Sequence, residues 1–197
     1  MPLTDDPIIV ALRVAEALET CRVRYLIGGS LASSLNGEPR STLDIDIVVA
    51  LTPPDVDAFL SHLGGEFYAD AAVIRRAIEH HSSANILHLS TSMKVDLFMM
   101  GGTPLDEEQM SRRQRIRVSS DPDRFLYVYT PEDILLQKLR WYRLGGGTSD
   151  RQWRDVLGIV RVQTGRLDAA YLRRGAAILN VEDLLARAMG EGQADRR

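Results

Sequence analysis

Two acidic residues stand out because their spacing suits metal-dependent chemistry. Asp44 and Asp46 lie two positions apart in an apolar segment that continues to Ala50. Side chains on a strand alternate between its faces, so both carboxylates project from one face, roughly 6.6 Å apart, while Ile45 and Ile47 fill the other. Two carboxylates this close repel unless a cation lies between them, and a pair of divalent metals that clamp a phosphoryl group would suit the spacing. The motif alone is also common on the solvent face of ordinary strands.

A third aspartate, Asp96, lies in a strongly apolar segment that ends at Met100. Lys94 precedes it by two residues and therefore points to the same face, close enough to pair with it. That ion pair is one interpretation. The other places this strand beside the strand of Asp44, so that three acids converge on one pocket and offer Mg²⁺ the oxygen ligands it prefers. Asp96 would then complete the metal shell or accept the proton of an attacking hydroxyl.

A glycine turn precedes the acidic pair. Gly28 and Gly29 connect a predicted strand to a predicted short helix that begins at Ser30. Glycines let the backbone approach a phosphate closely, and a helix start offers free N–H groups and the positive end of its dipole. Most such turns bind nothing, but here only 13 residues separate Ser30 from Asp44. The turn is therefore a candidate phosphate-binding element of the same site.

The periodicity around these residues predicts an α+β fold, with a small mixed sheet flanked by helices and then a C-terminal helical region. Strands are predicted at 23–27, 43–50, 85–90 and 93–100, with edge strands at 115–118 and 125–129. Helices are predicted at 4–20, 30–35, 52–63, 71–81, 130–144, 150–163, 167–178 and 181–189. We therefore expect a core at 1–129, a helical region at 130–189 that contributes to the active-site cleft, and a disordered tail at 190–197.

Composition and charge exclude several classes of protein. A formal net charge of −3 and a pI of about 5.8 give no global basic signal for nucleic acid. The single cysteine, Cys21, excludes an internal disulfide framework and fits a reducing cytosol. No apolar stretch reaches about 18 residues, and the N-terminus is acidic rather than a basic, apolar leader. We therefore expect a cytoplasmic protein that does not contact a membrane.

The glycine turn, the acidic pair and the later strand aspartate together resemble the polymerase-β-type nucleotidyltransferase superfamily. More narrowly, the pattern is similar to the AbiEii or MenT-like branch, known as toxins of type IV toxin–antitoxin systems. The residues that carry this likeness are Gly28, Gly29, Ser30, Leu31, Ala32, Gly37, Arg40, Thr42, Asp44 and Asp46. The likeness continues into the helical half, through segments 130–138 and 151–155, and covers about residues 23–160.

The resemblance implies a two-metal Mg²⁺ site and a nucleoside triphosphate (NTP) substrate. It assigns metal binding to Asp44 and Asp46, with Asp96 as the third acid. It further implies that six residues contact the nucleotide, namely Gly28, Gly29, Ser30, Arg40, Thr42 and Lys138. It also places Lys138 and Asp155 in the same cleft. From the residues alone, Lys138 could be a solvated charge on a helix face, and Asp155 could pair with Arg151, four residues earlier.

The leading hypothesis is therefore a Mg²⁺-dependent nucleotidyltransferase that moves a nucleoside monophosphate from an NTP to an acceptor hydroxyl. The toxin resemblance suggests the 3′ end of a transfer RNA as acceptor and a cognate antitoxin as partner. A protein hydroxyl and a small molecule such as an aminoglycoside are the other acceptors considered. The alternative hypothesis is a catalytically silent module that binds a nucleotide or a partner protein.

One local basic cluster is present, at Arg112, Arg113, Arg115 and Arg117. The last three would share one face of a strand. Such a stripe could hold RNA phosphates, or it could guard an exposed edge strand with charge.

Overall fold

The computed structural model describes residues 6–38 and 44–194, which divide into two compact units. Among the described residues, the first unit comprises 6–31 and 44–128, and the second comprises 32–38 and 129–194. No helix in these ranges has both the length and the apolar character that a membrane span requires. The mixed α and β content agrees with the fold class predicted from the sequence.

The first unit is built on a mixed sheet of seven strands in the order β3-β4-β5-β2-β1-β7-β6. The strands are β1 (Tyr25–Ile27), β2 (Ile45–Val49), β3 (Phe67–Tyr68), β4 (Ser83–His88), β5 (Met93–Met99), β6 (Gln114–Ser120) and β7 (Asp123–Val128). Strand β2 runs parallel to β5, and β1 runs parallel to β7, whereas the other neighbouring strands are antiparallel. Helices in this part of the chain are α1 (Pro7–Thr20), α2 (Gly29–Asn36), α3 (Val56–Leu63), α4 (Ala71–Glu79) and α5 (Pro104–Arg112).

The core of the first unit lies against one face of this sheet. Ile45 and Ile47 on β2 are completely buried, as are Val95 and Leu97 on β5, so every second residue of the two central strands faces the interior. Helix α1 packs on β5 and β7, and α4 packs on β4. The prediction that Ile45 and Ile47 fill the face opposite the acids is confirmed, because alternation on a strand separates apolar and polar residues.

Two elements of the first unit were not predicted from the sequence, and the position of a third within the sheet was predicted wrongly. Strand β3 has only two residues, too few to show alternation. Helix α5 begins with a capping box between Thr103 and Asp106, a local signal that could have located it. The prediction that both β6 and β7 are edge strands is wrong for β7, which lies between β1 and β6. Strand neighbours depend on long-range pairing and not on the local pattern.

The second unit is helical in its described residues. It contains the C-terminal part of α2 together with α6 (Pro131–Leu144), α7 (Asp150–Val162), α8 (Ala169–Leu179) and α9 (Glu182–Ala194). Thr130 caps α6 by accepting a hydrogen bond from the Asp133 N–H, as its sequence predicts. Helix α9 continues five residues beyond the predicted end at Met189, so residues 190–194 are helical and not a disordered tail. A Cβ on Gly192 would lie 2.5 Å from Val160, which shows how closely this extension packs on α7.

Candidate active site

Two of the predicted site residues are neighbours on the half-exposed face of the central strands, and a third immediately precedes one of these strands. In the parallel pair of β2 and β5, Asp46 lies directly opposite Asp96. Strands in a sheet lie about 4.8 Å apart, so the two aspartates are cross-strand neighbours. Asp44 immediately precedes β2 and is exposed, whereas Asp46 and Asp96 are partly buried. The sequence expectation that the strand of Asp96 lies beside the strand of Asp44 and Asp46 therefore agrees with the observed register.

The row of polar side chains continues onto the next strand. Asn85 on β4 is the antiparallel partner of Asp96 and is exposed. The three residues Asp46, Asp96 and Asn85 thus occupy adjacent positions across three strands. Asn85 is not among the predicted site residues, because its relation to the acids depends on the register of the hairpin between β4 and β5. An amide beside two carboxylates adds a neutral hydrogen-bonding group to this face.

Glycine at the start of α2 makes room for Asp46. A Cβ placed on Gly29 would lie 1.6 Å from Oδ2 of Asp46, and Gly29 has a φ of +52°, a conformation that other residues rarely adopt. The preceding residue contributes as well, because the N–H of Gly28 donates a hydrogen bond of 2.8 Å to the carbonyl oxygen of Asp46. The glycine turn thus holds the start of a helix against an acidic side chain, where the positive end of the helix dipole favours negative charge.

Lys94 supplies the cation that these acids need. Its Nζ lies 2.9 Å from Oδ2 of Asp96, and the lysine side chain is 52% exposed whereas that of Asp96 is 17% exposed. The hydrogen bond to Asp96 raises the pKa of Lys94, and the charges of Asp96, Asp44 and Asp46 add to this effect. A single ammonium group therefore experiences the field of all three carboxylates, which places them in one electrostatic neighbourhood.

The chemistry of this set suits Mg²⁺. Carboxylate oxygens are the hard ligands that Mg²⁺ selects, and Gly29 leaves the space in which the Asp46 carboxylate sits. Within the described residues, no group of three or more acidic, histidine or cysteine side chains is arranged so that it could by itself hold a metal ion. Closer approach of three carboxylates would be opposed by their mutual repulsion, and Lys94 offsets part of that charge.

The other predicted site residues are distributed as follows. Ser30 lies in the first turn of α2 and is 9% exposed. Arg40 and Thr42 lie outside the described residues. Lys138 and Asp155 belong to the second unit, on α6 and α7. The family resemblance also implies that both are catalytic residues of the active-site cleft, and these roles stay predictions.

Lys138 and Asp155 form a buried ion pair within the second unit. The Nζ of Lys138 donates to Oδ2 of Asp155 at 2.7 Å, and the side chains are only 10% and 7% exposed. Lys138 is therefore not the solvated surface charge that its residue type suggests. The pair joins α6 to α7, and Tyr142 and Trp153 on the same two helices form a tilted aromatic contact. Sequence spacing could not indicate this pairing, because the two residues lie on different helices.

Three arginines of the basic cluster contact neighbouring side chains at the edge of the sheet. Arg115 stacks over the ring of Phe125, with 3.7 Å from its guanidinium carbon to the ring centre, and Arg113 stacks over Tyr127 at 4.7 Å. Arg117 lies 3.4 Å from Asp123. Strand β6 is the terminal strand of the sheet. These contacts favour the interpretation in which arginines guard an edge strand.

Comparison with solved structures identifies the fold. A crystal structure of an antigenic nucleotidyltransferase-like protein from Paracoccidioides brasiliensis matches 94% of this chain and 93% of its own, with a TM-score of 0.55 and 14% identity. The solution structure of the antibiotic-resistance factor ANT(2'')-Ia matches 98% of this chain and all of its own at a TM-score of 0.49 and 12% identity. A CCA-adding enzyme in complex with ATP matches 86% of this chain and 47% of its own, with a TM-score of 0.38 and 14% identity.

The first of these matches shows a nucleotidyltransferase-like fold, at an identity too low to show more than the fold. No protein-family model matches the chain, and no curated protein matches it either.

Proposed function

We propose that this protein is a Mg²⁺-dependent nucleotidyltransferase that transfers a nucleoside monophosphate from an NTP to an acceptor hydroxyl. The observation that carries the proposal is the cross-strand pairing of Asp46 with Asp96, with Asp44 two residues from Asp46 and the glycine turn beside them. A nucleotidyltransferase-like fold supports it independently. When bound, Mg²⁺ supplies charge neutralisation at the phosphates and orients them for displacement.

The three aspartates would hold the metal and handle the proton. Asp44 and Asp46 offer carboxylate oxygens from one edge of the site, and Asp96 offers a third from the neighbouring strand. In the reaction the acceptor oxygen forms a bond to the α-phosphorus while the bond to the bridging oxygen of pyrophosphate breaks. Asp96 would accept the hydroxyl proton, a role that its position opposite Asp46 in the same cross-strand row supports.

The start of α2 is the proposed phosphate-binding element. Gly28 and Gly29 bring the backbone close to Asp46, and the first turn of α2 presents N–H groups of the kind that bind phosphate oxygens. Ser30 would add its hydroxyl at the same place. Lys138, which the family resemblance also assigns to nucleotide binding, forms a buried ion pair with Asp155, and its contact with the nucleotide stays a prediction.

The acceptor is proposed from the family resemblance and not from the geometry of the site. The resemblance to AbiEii-like and MenT-like toxins suggests a transfer RNA 3′ end in the cytoplasm, with an antitoxin as the controlling partner. The experiment therefore tests acceptors of three classes: total RNA, a mixture of proteins, and a panel of aminoglycosides. Each is incubated with α-labelled ATP, CTP, GTP or UTP and with Mg²⁺, and labelled product is separated by class.

The decisive variant is Asp44→Asn with Asp46→Asn, which keeps side-chain size but removes both charges. We expect labelled transfer to fall by at least about 10³-fold, because the metal loses two of its ligands. Asp57→Asn is the matched control, since Asp57 belongs to the same unit and pairs with Arg75 away from the acidic row. Transfer that persists in a folded double variant rejects the proposal. NTP binding without Mg²⁺-dependent product on any acceptor would instead indicate the silent binding module.

A further inference from the structure

The chain uses lysine at only two positions. Its 24 basic Lys and Arg residues include just two lysines, Lys94 and Lys138. Each forms an ion pair with an aspartate of the candidate site set, Lys94 with Asp96 and Lys138 with Asp155. Arginine binds carboxylates as a rigid, two-pronged donor, whereas lysine is a compact point charge on a flexible stem. A cation that has to leave its partner is therefore better supplied by lysine.

Lys94 binds a carboxylate that a metal ion at this site would also bind. Its ammonium lies 2.9 Å from Oδ2 of Asp96, in the shared field of Asp44 and Asp46. A divalent cation bound by these acids would repel an ammonium group held a few ångström away. The lysine side chain is half exposed, so it can swing into solvent without breaking the packed core.

We propose that Lys94 is a built-in counterion of the candidate metal site, which neutralises the acids before the metal binds and must leave Asp96 as the metal enters. This inference rests on the proposed function, because it concerns the same three carboxylates. Its consequence is that Lys94 lowers the affinity of the site for divalent metal. Lys94 is thus a positioning residue that sets the metal concentration at which the site fills.

The first test measures Mn²⁺ binding by electron paramagnetic resonance, which needs no catalytic turnover. Compared with the unaltered protein, Lys94→Met is expected to bind Mn²⁺ about tenfold more tightly, the size expected for one charge a few ångström from a divalent ion at a water-exposed site. Lys94→Gln keeps the hydrogen-bonding capacity without the charge and should behave in the same way. Lys94→Arg keeps the charge and should restore the weaker binding.

Two controls make the result specific. Arg75→Met removes a cation from the 2.6 Å pair with Asp57 in the same unit and should leave Mn²⁺ affinity unchanged. Asp44→Asn with Asp46→Asn should abolish Mn²⁺ binding, both when Lys94 is retained and when Lys94→Met is added to the two substitutions. Circular dichroism verifies that each variant is folded, and the three Lys94 variants together keep the test informative if one of them is not.

The second test follows the lysine itself. An N-hydroxysuccinimide ester acylates amines, and peptide mass spectrometry reports the two lysines separately. Adding Mg²⁺ should speed acylation of Lys94, because its ammonium is released from Asp96, while Lys138 serves as the buried internal reference at 10% exposure.

The outcomes separate the two proposals. Equal Mn²⁺ affinity in Lys94→Met and the unaltered protein overturns the counterion inference and leaves the nucleotidyltransferase proposal standing. An acylation rate at Lys94 that Mg²⁺ does not change, under conditions where Mn²⁺ binds, overturns it too. Absence of Mn²⁺ binding in every variant rejects the metal-dependent function, and the counterion role with it.

Discussion

The two lysine–aspartate pairs have the same chemical composition and nearly the same length, but their surroundings differ. Lys94 and Asp96 lie 2.9 Å apart on the sheet face of the first unit, with the lysine 52% exposed. Lys138 and Asp155 lie 2.7 Å apart within the second unit, with both side chains at most 10% exposed. Solvent access, not the bond itself, therefore decides whether an ion pair can be exchanged for another ligand.

The energetic reason is desolvation. An exposed ion pair contributes about 0–1 kcal/mol to folding, because water solvates either partner once the pair separates. Removing one partner of a buried pair costs about 3–5 kcal/mol, because the other charge stays in a poorly solvated place. We therefore interpret Lys94 as an exchangeable cation and the Lys138 pair as a structural connection between α6 and α7.

The largest expected effect is the loss of stability in Lys138→Met. This substitution leaves the Asp155 carboxylate 7% exposed and without its lysine. We expect the free energy of unfolding to fall by about 3–5 kcal/mol, measured by urea denaturation. The matched variant is Lys94→Met, which should lose less stability because Lys94 is 52% exposed and the Asp96 side chain left behind, at 17%, has more contact with water than Asp155. Equal losses in the two variants would remove the distinction between the pairs.

A double substitution tests whether Lys138 and Asp155 are energetically coupled. Lys138→Met combined with Asp155→Leu replaces the buried pair by two apolar side chains. We expect it to recover most of the stability that Lys138→Met loses, because no buried charge is left unpaired. A double-mutant cycle by urea denaturation should therefore give a coupling energy above about 1 kcal/mol. Additive effects of the two substitutions would show that the pair is not coupled in the folded protein.

The smallest expected effect concerns a third ion pair, at the surface of the second unit. Glu191 accepts a 2.7 Å hydrogen bond from Arg187 and another of 2.7 Å from Nε1 of Trp153. The Arg187 hydrogen bond, followed by the Trp153 one, lowers the pKa of Glu191. A carboxyl group whose pKa is lower in the folded protein than in the unfolded chain stabilises the fold at any pH above its unfolded pKa, about 4.3. That contribution is lost as the pH falls through the folded pKa.

Tryptophan fluorescence measures this titration. In a Trp141→Phe background, emission from Trp153 should change with a midpoint below the usual glutamate range, and Glu191→Gln should remove the transition. Its effect on the free energy of unfolding should be smaller than that of either lysine substitution, since the group is at the surface. A midpoint at the ordinary value would show that these contacts do not persist in solution.

Much of the candidate site could be predicted from local patterns. Alternation on a strand puts Asp44 and Asp46 on one face, and the same rule places Lys94 beside Asp96. Asp96 pairs with Lys94 and also lies opposite Asp46, so the predicted ion pair and the predicted strand neighbourhood are both observed, while the metal-binding role of Asp96 stays a prediction. Local spacing treats these as alternatives, but the exposed face of a sheet has room for both relations.

The parts that sequence could not predict depend on distant pairing. The position of β7 inside the sheet and the relation of Asn85 to Asp96 follow from strand order and register. The Lys138 partner lies on another helix, 17 residues away, whereas sequence spacing offered only the neighbour Arg151. Helix α9 extends beyond its predicted end, and Gly192 in this extension packs against Val160 on α7, a contact between helices that local helix propensity does not reveal.

The parallel pairing of β2 and β5 also has a consequence for biosynthesis. Asp46 and Asp96 are opposite each other in space but fifty positions apart along the chain, with α3, β3, α4 and β4 between them. Forming this pair requires closure of a long loop, a step that costs chain entropy before native contacts can compensate. A ribosome-bound chain that has emerged only through β4 therefore cannot yet pair Asp46 with Asp96, and this part of the sheet forms only after translation has passed β5.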